Sequence, residues 1–533
     1  MMTPPNPNDT PPAATPNPEP ASGATLPRLN LQDQPSYWRT KARFQRKELE
    51  QTLAELARRE EAAGIKRRGN QGSGGKSVQR LNDECNAQDF IDTCEKDVRH
   101  CVSTKDWYVW ERLRWECDVH ECLMMQRACE FSRELCERAQ EMPTLSEAKM
   151  MAHRGNVLGN YPRLRAMLNI ARSDPRVTIP DTSVWDANPH LLGVKNGVVD
   201  LRTCQFVPPQ REMMVTKTIA TSYVEGAPCP KWDAFLEQVL PDPEVRHFLQ
   251  VSAGYWLTGD TSAQCFWFLY GSGANGKSTF LETLFRLWGE YSQRANAMLT
   301  LSLNSREAGI ELSSVPGKRL VVGSEVSDGM RLNESLVKDL TGGDTITGRG
   351  MYKDTITFRP VAKMVMFGNH RPTISGTDGG MWRRVRLVPF TQVIPEEQRN
   401  PRLPHELLAE FPGILNWCLR GLAHYHTHGL PTPPAVHHAT ETYREDSDPL
   451  GEFLEESTQR MEESSERVLL NELYQKYGTW CAESGRKHPL SRQTLRMRLE
   501  ERGYTSQRTN RGQVIQKLRL KSELDAVLSS EEE

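Results

Sequence analysis

The chain has 533 residues, a formal net charge of −2, 37% hydrophobic residues and 26% charged residues. That length suits two to four domains, and the near-zero charge excludes a basic surface over the whole chain, so any nucleic-acid contact must be local. No apolar run approaches the ~20 residues that cross a bilayer, and the N-terminus lacks the apolar core of a signal peptide; a cytoplasmic protein without membrane contact is expected.

Residues 1–35 form a Pro-rich tail, with nine prolines in the first 30 positions, a composition that cannot bury a core. Residues 36–83 combine a charged helix over 37–63 with a Gly-rich linker. Leu49, Leu53 and Leu56 share one side of that helix, which suits either an oligomer contact or a solvated helix. Gly75-Lys76-Ser77 imitates a phosphate loop, but Asn70 stands where the first glycine is required and no apolar strand precedes it. Residues 84–230 read as a mainly helical N-terminal domain. Within it WYVWERLRWECD predicts an aromatic-rich hairpin, a helix runs on to about Ala139, and Asn196-Gly197 marks a second hairpin turn. Aromatic residues there could stack on bases, but packing against the adjacent helix is the favoured reading. None of the 12 cysteines forms a Cys-x-x-Cys pair. Cys117 and Cys122 flank His120 without a second ligand pair, and Cys122, Cys129 and Cys136 recur every seven residues, so core packing is expected for them.

Residues 231–390 open with a helical collar (Trp232, Phe235, Phe248, Leu249 at core-like spacing) and continue as alternating strands and helices. A helical connector, 391–450, leads to a last domain, 451–523, and an acidic tail, 524–533. In that domain one helix is predicted over 466–483 and a second from a Ser491 cap to Gly503, followed by two strands around Asn510-Arg511-Gly512. Residues 486–521 carry eleven Lys or Arg against Glu500 and Glu501. Helices plus a basic hairpin suit a winged-helix DNA-binding arm; a solvated helical surface is the competing reading.

The most informative segment is CFWFLYGSGANGKSTFLETLF. Phe266–Tyr270 reads as a buried parallel strand, the loop Gly271-Ser272-Gly273-Ala274-Asn275-Gly276-Lys277-Ser278-Thr279 follows without a gap, and an amphipathic helix begins at Lys277. This is the strand–loop–helix setting that a phosphate loop requires. Backbone N–H groups converge on the phosphates, and the helix N-terminus adds positive potential. Lys277 reaches the β- and γ-phosphates and Ser278 offers its hydroxyl to Mg2+, so ATP and Mg2+ are the expected ligands. Downstream, Leu320-Val321-Val322 reads as a strand that delivers Glu325, able to polarise a water and hold a metal-bound water. Ser324 stands where many such ATPases carry an aspartate. The strand in KMVMFGN ends at Asn369, whose amide can hold the water or the γ-phosphate. Arg383, Arg384 and Arg386 follow in GTDGGMWRRVRLVPF; a guanidinium on the γ-phosphate stabilises transition-state charge, although strand-end arginines are often merely solvated.

The ordered set GSGANGKST, VVGSE, LVKDLTGGDTITGRGMYKD, MFGNHRP and GTDGGMWRR resembles superfamily 3 helicases, and more narrowly the phage and plasmid primase-helicase family, related to the poxvirus primase-helicase. The flanks resemble that family too, so the likeness runs over about residues 100–522. It implies an α/β fold: an AAA+-like P-loop ATPase core with a mainly helical N-terminal domain and a C-terminal winged helix. It further implies a ring, usually a hexamer, translocating 3′ to 5′ on single-stranded or forked DNA in a bacterial host, with a separate primase or initiator as partner. Each ATP site is completed by an arginine from the next subunit, here Arg383 or Arg384, with Arg384 preferred. A DNA-gripping hairpin falls at Asp344–Phe358, with Arg349 and Lys353 near its tip and Lys338 in the preceding helix; cations there suit phosphate contact. No polymerising primase domain is readable ahead of the helicase, so unwinding without primer synthesis is expected. An ATP-bound replication initiator without processive unwinding, a protein-remodelling or DNA-packaging ring, and a nucleotide kinase are the alternatives.

Overall fold

A computed structural model describes residues 35–63, 82–295, 305–323, 331–349, 355–374, 379–461, 466–484 and 489–521. By contact the chain divides into two compact units: residues 1–94 with 121–174, and residues 95–120 with 175–533. This division runs through the expected 84–230 block. Its helices lie in the first unit and its strands in the second, where they pair with one another.

In the first unit the described residues are helical: Pro35–Ala62, Asp83–Cys94, Cys122–Arg138, Leu145–Leu158 and Tyr161–Ala171. Thr144 caps the fourth helix by accepting from the backbone of Glu147, whose carboxylate meets the Thr144 hydroxyl in return, the side-chain pair of a capping box. Leu49 and the half-buried Leu53 of the first helix pack against Ala139 and Ala152, so its apolar side is used within the chain. Arg154, on the fourth helix, reaches back to Asn86 (2.7 Å) and Asp89 (2.6 Å) on the second. Cys122 is exposed, and Cys129 and Cys136 are half-buried, so the heptad of cysteines is only partly core.

In the second unit the predicted hairpin, Trp107–Glu111 with Arg114–Asp118, joins Val98–Cys101 and Thr178–Ile179 in a four-stranded sheet. Leu191–Val194 and Gly197–Asp200 pair antiparallel across the Asn196-Gly197 turn. The collar helices Pro230–Val239 and Pro243–Leu257 bury Trp232, Phe235, Phe248 and Leu249. Pro243–Leu257 packs so closely on Phe411–His428 that a Cβ on Gly254 would stand 2.2 Å from the Leu422 nitrogen, and one on Gly421 2.1 Å from the Gln250 carbonyl. Glycine on both helices lets the backbones touch.

The collar leads into a five-stranded, fully parallel sheet, with strands β1 (Phe266–Tyr270), β2 (Ser292–Arg294), β3 (Leu320–Val322), β4 (Lys363–Gly368) and β5 (Val385–Pro389). Their order across the sheet is β5-β1-β4-β3-β2. Both faces are covered, which explains why these strands read as continuous apolar runs. Trp267, Leu269, Val322, Val365 and Val388 face a core shared with the collar and with helix α1 (Lys277–Trp288). Phe266, Phe268, Val321, Met364 and Leu387 face the opposite core, shared with helix α2 (Glu334–Gly342) and Tyr443 of helix Pro434–Asp446. Ile346–Arg349 and Thr355–Phe358 form an antiparallel hairpin within the expected Asp344–Phe358 stretch.

Helix Pro434–Asp446 leads into the last region, where Leu450, Phe453, Leu473, Tyr477, Trp480, Leu495, Leu499 and Ile515 share one core. Its first predicted helix starts later than expected, at Leu470, because Arg467–Leu469 pairs as a strand with Gly512–Gln516. Ser491 caps Arg492–Glu501 by accepting from the Thr494 backbone, and Ser506–Thr509 and Gly512–Gln516 form the hairpin around Asn510-Arg511. Trp232 is fully buried, its ring 5.5 Å from both Phe280 and Trp417. Trp232→Ala is expected to cost ~3–5 kcal/mol, as for other fully buried large aromatics, and to lower the urea midpoint followed by circular dichroism; an unshifted midpoint would remove this residue from the core.

Candidate active site

The site lies at the carboxyl ends of β1 and β4, which are neighbours because Tyr270 pairs with Gly368. In open parallel sheets this edge is where connecting loops form a crevice for ligands. The loop after β1 turns back into α1 through Ala274 (φ 60°) and Gly276 (φ 81°). Only glycine fits at position 271, since a Cβ there would stand 2.2 Å from the Phe390 carbonyl oxygen and 2.4 Å from Asn275 Nδ2. The rim is open: Ser272, Gly273 and Ala274 are exposed, and a Cβ on Gly273 would meet nothing within 4 Å. The amino end of α1 adds its partial positive charge to this edge.

Lys277, the first residue of α1, is buried. Its ammonium donates to the carbonyls of Gly271 (2.7 Å) and Ser272 (3.4 Å), to Asn275 Oδ1 (2.9 Å) and to Asn369 Oδ1 (3.2 Å). One cation thus ties the loop to the residue that follows β4. Asn275 is buried as well, and its amide donates to Ser272 and to the Phe390 carbonyl (3.1 Å). Ile394 donates to the Ala274 carbonyl at 2.8 Å, so the loop is also tied to the chain after β5. Ser278 is exposed in the first turn of α1 and Thr279 is half-buried. An exposed loop at a helix N-terminus, a buried lysine and an adjacent hydroxyl form a donor set that fits a polyphosphate with its Mg2+.

On the acidic strand, β3 carries the chain to Gly323, whose N–H donates to Val365 at 2.9 Å. Ser324, Glu325, Lys353 and the side chain of Arg349 lie outside the described residues. Lys338 is half-buried on α2.

The arginines occupy the opposite edge of the sheet. Val385 pairs with Phe266 at the start of β1, so Arg383 and Arg384 lie beside the amino ends of the strands, about 17 Å of extended strand away from the loop. Neither therefore reaches the phosphate loop of its own chain. Arg384 is buried and donates to Thr341 Oγ1 (2.9 Å) and to the Gly380 carbonyl. The Arg384 guanidinium thus joins α2 to β5 within its own chain. Arg383 is exposed at the same edge. Arg386 is half-buried and donates to the carbonyls of Arg383 and Val385.

Three cations here escape the motif reading. Arg319 and Lys363, at the amino ends of β3 and β4, are buried. Arg319 donates to the carbonyls of Leu257 and Leu191, and Lys363 to those of Thr258, Asp260 and Val361. Both help hold the end of helix Pro243–Leu257, and burial drives the Lys363 pKa well below its usual range. Arg371, two residues beyond Asn369, lies over the rings of Tyr270 (5.2 Å) and Tyr443 (5.1 Å) and pairs with Asp446 at 2.8 Å. It stands within the motif MFGNHRP, but its partners come from distant elements, so no local pattern announces them. Burial raises the Tyr443 pKa, with Arg371 pulling the other way. The Tyr443 hydroxyl donates to the Pro372 carbonyl.

This mixed α/β chain, with a parallel sheet and an anion-ready loop, is similar to proteins named as helicases and primases of large DNA viruses. Residues 87–241 match the family described as D5 N terminal like, residues 269–384 a family of unknown function, and residues 445–521 the family described as Poxvirus D5 protein-like. "Putative helicase L207/L206" of Acanthamoeba polyphaga mimivirus is 29% identical over 318 residues, covering 55% of this chain and 33% of that protein. "Putative helicase 022R" of Frog virus 3 is 27% identical over 280 residues, covering 48% and 28%. "Putative primase C962R" of African swine fever virus is 24% identical over 323 residues, covering 55% and 33%. The matched stretch amounts to about a third of the relatives' own length. The solved apo C terminal region of NrS-1 is 12% identical, with a TM-score of 0.43 over 67% of this chain and 74% of that one. The resemblance to the primase-helicase family therefore holds, and the chain carries D5 N-terminal-like and poxvirus D5-like domains. These relatives belong to viruses of eukaryotes, so the phage or plasmid setting and the bacterial host find no support among them. Among the described residues no helix is long and apolar enough to cross a membrane.

The loop geometry separates two glycines. Gly271→Ala is expected to lower thermal stability and weaken nucleotide binding, because the new Cβ collides with the Phe390 carbonyl. Gly273→Ala should leave the melting transition within about 0.5 kcal/mol of the parent, as for open surface sites. Equal melting of the two variants, followed by calorimetry, would contradict the loop packing described.

Proposed function

We propose that this chain is an ATP-hydrolysing DNA helicase that acts in DNA replication as a ring, a hexamer by family resemblance, with an AAA+-like P-loop core and a C-terminal winged helix. The observation that carries this reading is the buried Lys277 ammonium, which spans from the phosphate loop to Asn369 on the adjacent strand. That arrangement suits a site in which lysine neutralises the β- and γ-phosphates and the asparagine amide positions the attacking water. Glu325, just past β3, is assigned to polarise that water. Mg2+ would neutralise phosphate charge as it develops, and the Ser278 hydroxyl is assigned to hold it. The matched families and relatives support the replication role, and a separate primase or initiator is the expected partner.

The layout also supports conversion of hydrolysis into work on DNA. Leu332 donates to the Thr373 carbonyl (3.0 Å) beyond the carboxyl end of β4, and α2 begins just after it. At the far end of α2, Arg359 donates to the Gly343 carbonyl (3.1 Å), and a Cβ on Gly343 would meet Thr261, ahead of β1. Helix α2 thus runs from the nucleotide edge to the edge where the hairpin begins, a span of about 13 Å. The hairpin residues Arg349 and Lys353, with Lys338 on α2, are assigned to the DNA backbone. Exposed Arg492 and Gln493 on helix Arg492–Glu501, with Arg508 and Arg511 on the hairpin beside it, suit a second DNA contact through phosphates and a groove.

Strand separation, ATP hydrolysis and thermal melting test this. On a forked duplex with ATP and Mg2+, the parent should separate strands, and Lys277→Ala should hydrolyse ATP at less than about a tenth of the parent rate, the scale for losing one electrostatic group. Arg383→Ala should lose about a thousandfold in turnover, as for a trans arginine, and mixing it with Lys277→Ala should restore part of the activity, because some interfaces then pair an intact loop with an intact Arg383. Arg384→Ala should instead lower the melting temperature, since it leaves Thr341 without its buried donor. Rings that exchange subunits yet recover no hydrolysis at any ratio would exclude Arg383 as the trans group. No strand separation by the parent would sink the helicase reading.

A further inference from the structure

Arg371 is held by three groups from two distant parts of the chain. Tyr270 is the last residue of β1, immediately ahead of the phosphate loop. Tyr443 belongs to helix Pro434–Asp446, and Asp446 ends that helix. Arg371 itself follows Asn369, whose side chain already meets Lys277. A guanidinium held over two aromatic rings keeps its N–H groups for a carboxylate or a phosphate. At rest they meet Asp446, whose side chain is 52% exposed. The ion pair is therefore well solvated and weak, whereas a triphosphate at the open rim would offer a higher charge and three acceptor oxygens.

Resting on the nucleotide-site reading above, we propose that Arg371 is a second cation of that site, which exchanges Asp446 for the terminal phosphate of a nucleoside triphosphate. The exchange is a swap of one anion for another on the same guanidinium; no covalent bond changes. Its consequence reaches the C-terminal region through the next residues. Released Asp446 lies two positions ahead of Asp448, which pairs with Arg502 beside helix Arg492–Glu501. Tyr443 stays anchored to Pro372 and edge-on to Trp382 at 5.2 Å, so the helix keeps its place while its last turn is freed. The γ-phosphate is thereby read at Asn369 and Arg371 together, and the second reading passes to the segment that leads into the DNA-binding region.

The test compares binding of a non-hydrolysable ATP analogue (adenylyl imidodiphosphate) and of ADP, each with Mg2+, to the full chain. Arg371→Gln should weaken the triphosphate analogue about tenfold, the scale of one charge-assisted hydrogen bond, and leave ADP within about twofold. Asp446→Asn removes the competing anion from an exposed position and should tighten the analogue severalfold, again with ADP unchanged. If Arg371 only tethers the helix, both variants will change analogue and ADP affinity by the same factor, and the proposal is overturned. Should Arg371→Gln melt early, the Asp446→Asn ratio of analogue to ADP affinity decides alone, and an unchanged ratio overturns the exchange. Lys277→Ala, in parallel, should lose both nucleotides. A parent that binds neither would remove the nucleotide site itself, whereas a parent that binds both, with Arg371 and Asp446 variants indistinguishable from it, would remove only Arg371.

Discussion

A single buried ammonium holds the centre of this molecule together. Lys277 Nζ donates to two loop carbonyls, to the Asn275 side chain and to the Asn369 side chain. A buried charge of that kind persists only where hydrogen bonds replace its lost water. Here they come from both sides of the crevice, so the loop and the end of β4 are fixed relative to each other before any ligand arrives. The glycine at 271, the buried amide at 275 and the carbonyl of Phe390 all serve that one placement.

The sheet separates two kinds of chemistry by its length. Its carboxyl edge carries the loop, Asn369 and Arg371; its amino edge carries Arg383, Arg384 and the base of the hairpin. Helix α2 and strand β4 are the rigid members that connect these edges, with Val337 and Leu340 packed on Met364 and Met366 in one core. A packed core of this type shifts as a block and does not deform gradually. The residues after β4 form the junction of the system: Asn369 faces the lysine, Arg371 and Pro372 face helix Pro434–Asp446, and Thr373 meets Arg331 and Leu332 ahead of α2.

What the sequence reveals follows from how local each cause is. The run Phe266–Tyr270, the glycine register after it and the helix from Lys277 are all dictated within a few residues, and the structure places them with those bounds. The apolar run Leu320–Val322 is equally local, set between a lysine-arginine pair and a glycine. The fate of an arginine is not local. Arg383 and Arg384 look alike in the chain, yet one is exposed and the other bonds a threonine 43 positions earlier. Arg371 escapes for the same reason, since the rings that hold it are supplied from positions 270 and 443. Within the block from 84 to 230, Val98–Cys101 pairs in parallel with Thr178–Ile179, a partnership that helical periodicity between them cannot predict.

That same pairing governs the order in which the molecule can come into being. The chain passes from one unit to the other after residue 94, returns after 120, and leaves again after 174. During synthesis the first unit cannot close when residue 94 emerges, because three of its helices are still unmade. The outer edge of Val98–Cys101 must wait longer still, for Thr178–Ile179 to pair with it. At ribosomal speeds of about 5–20 residues per second, the two early helices and the outer edge of Val98–Cys101 spend several seconds without these partners. That unpaired edge, beside strands rich in tryptophan, is open to pairing with another chain until its own partner emerges.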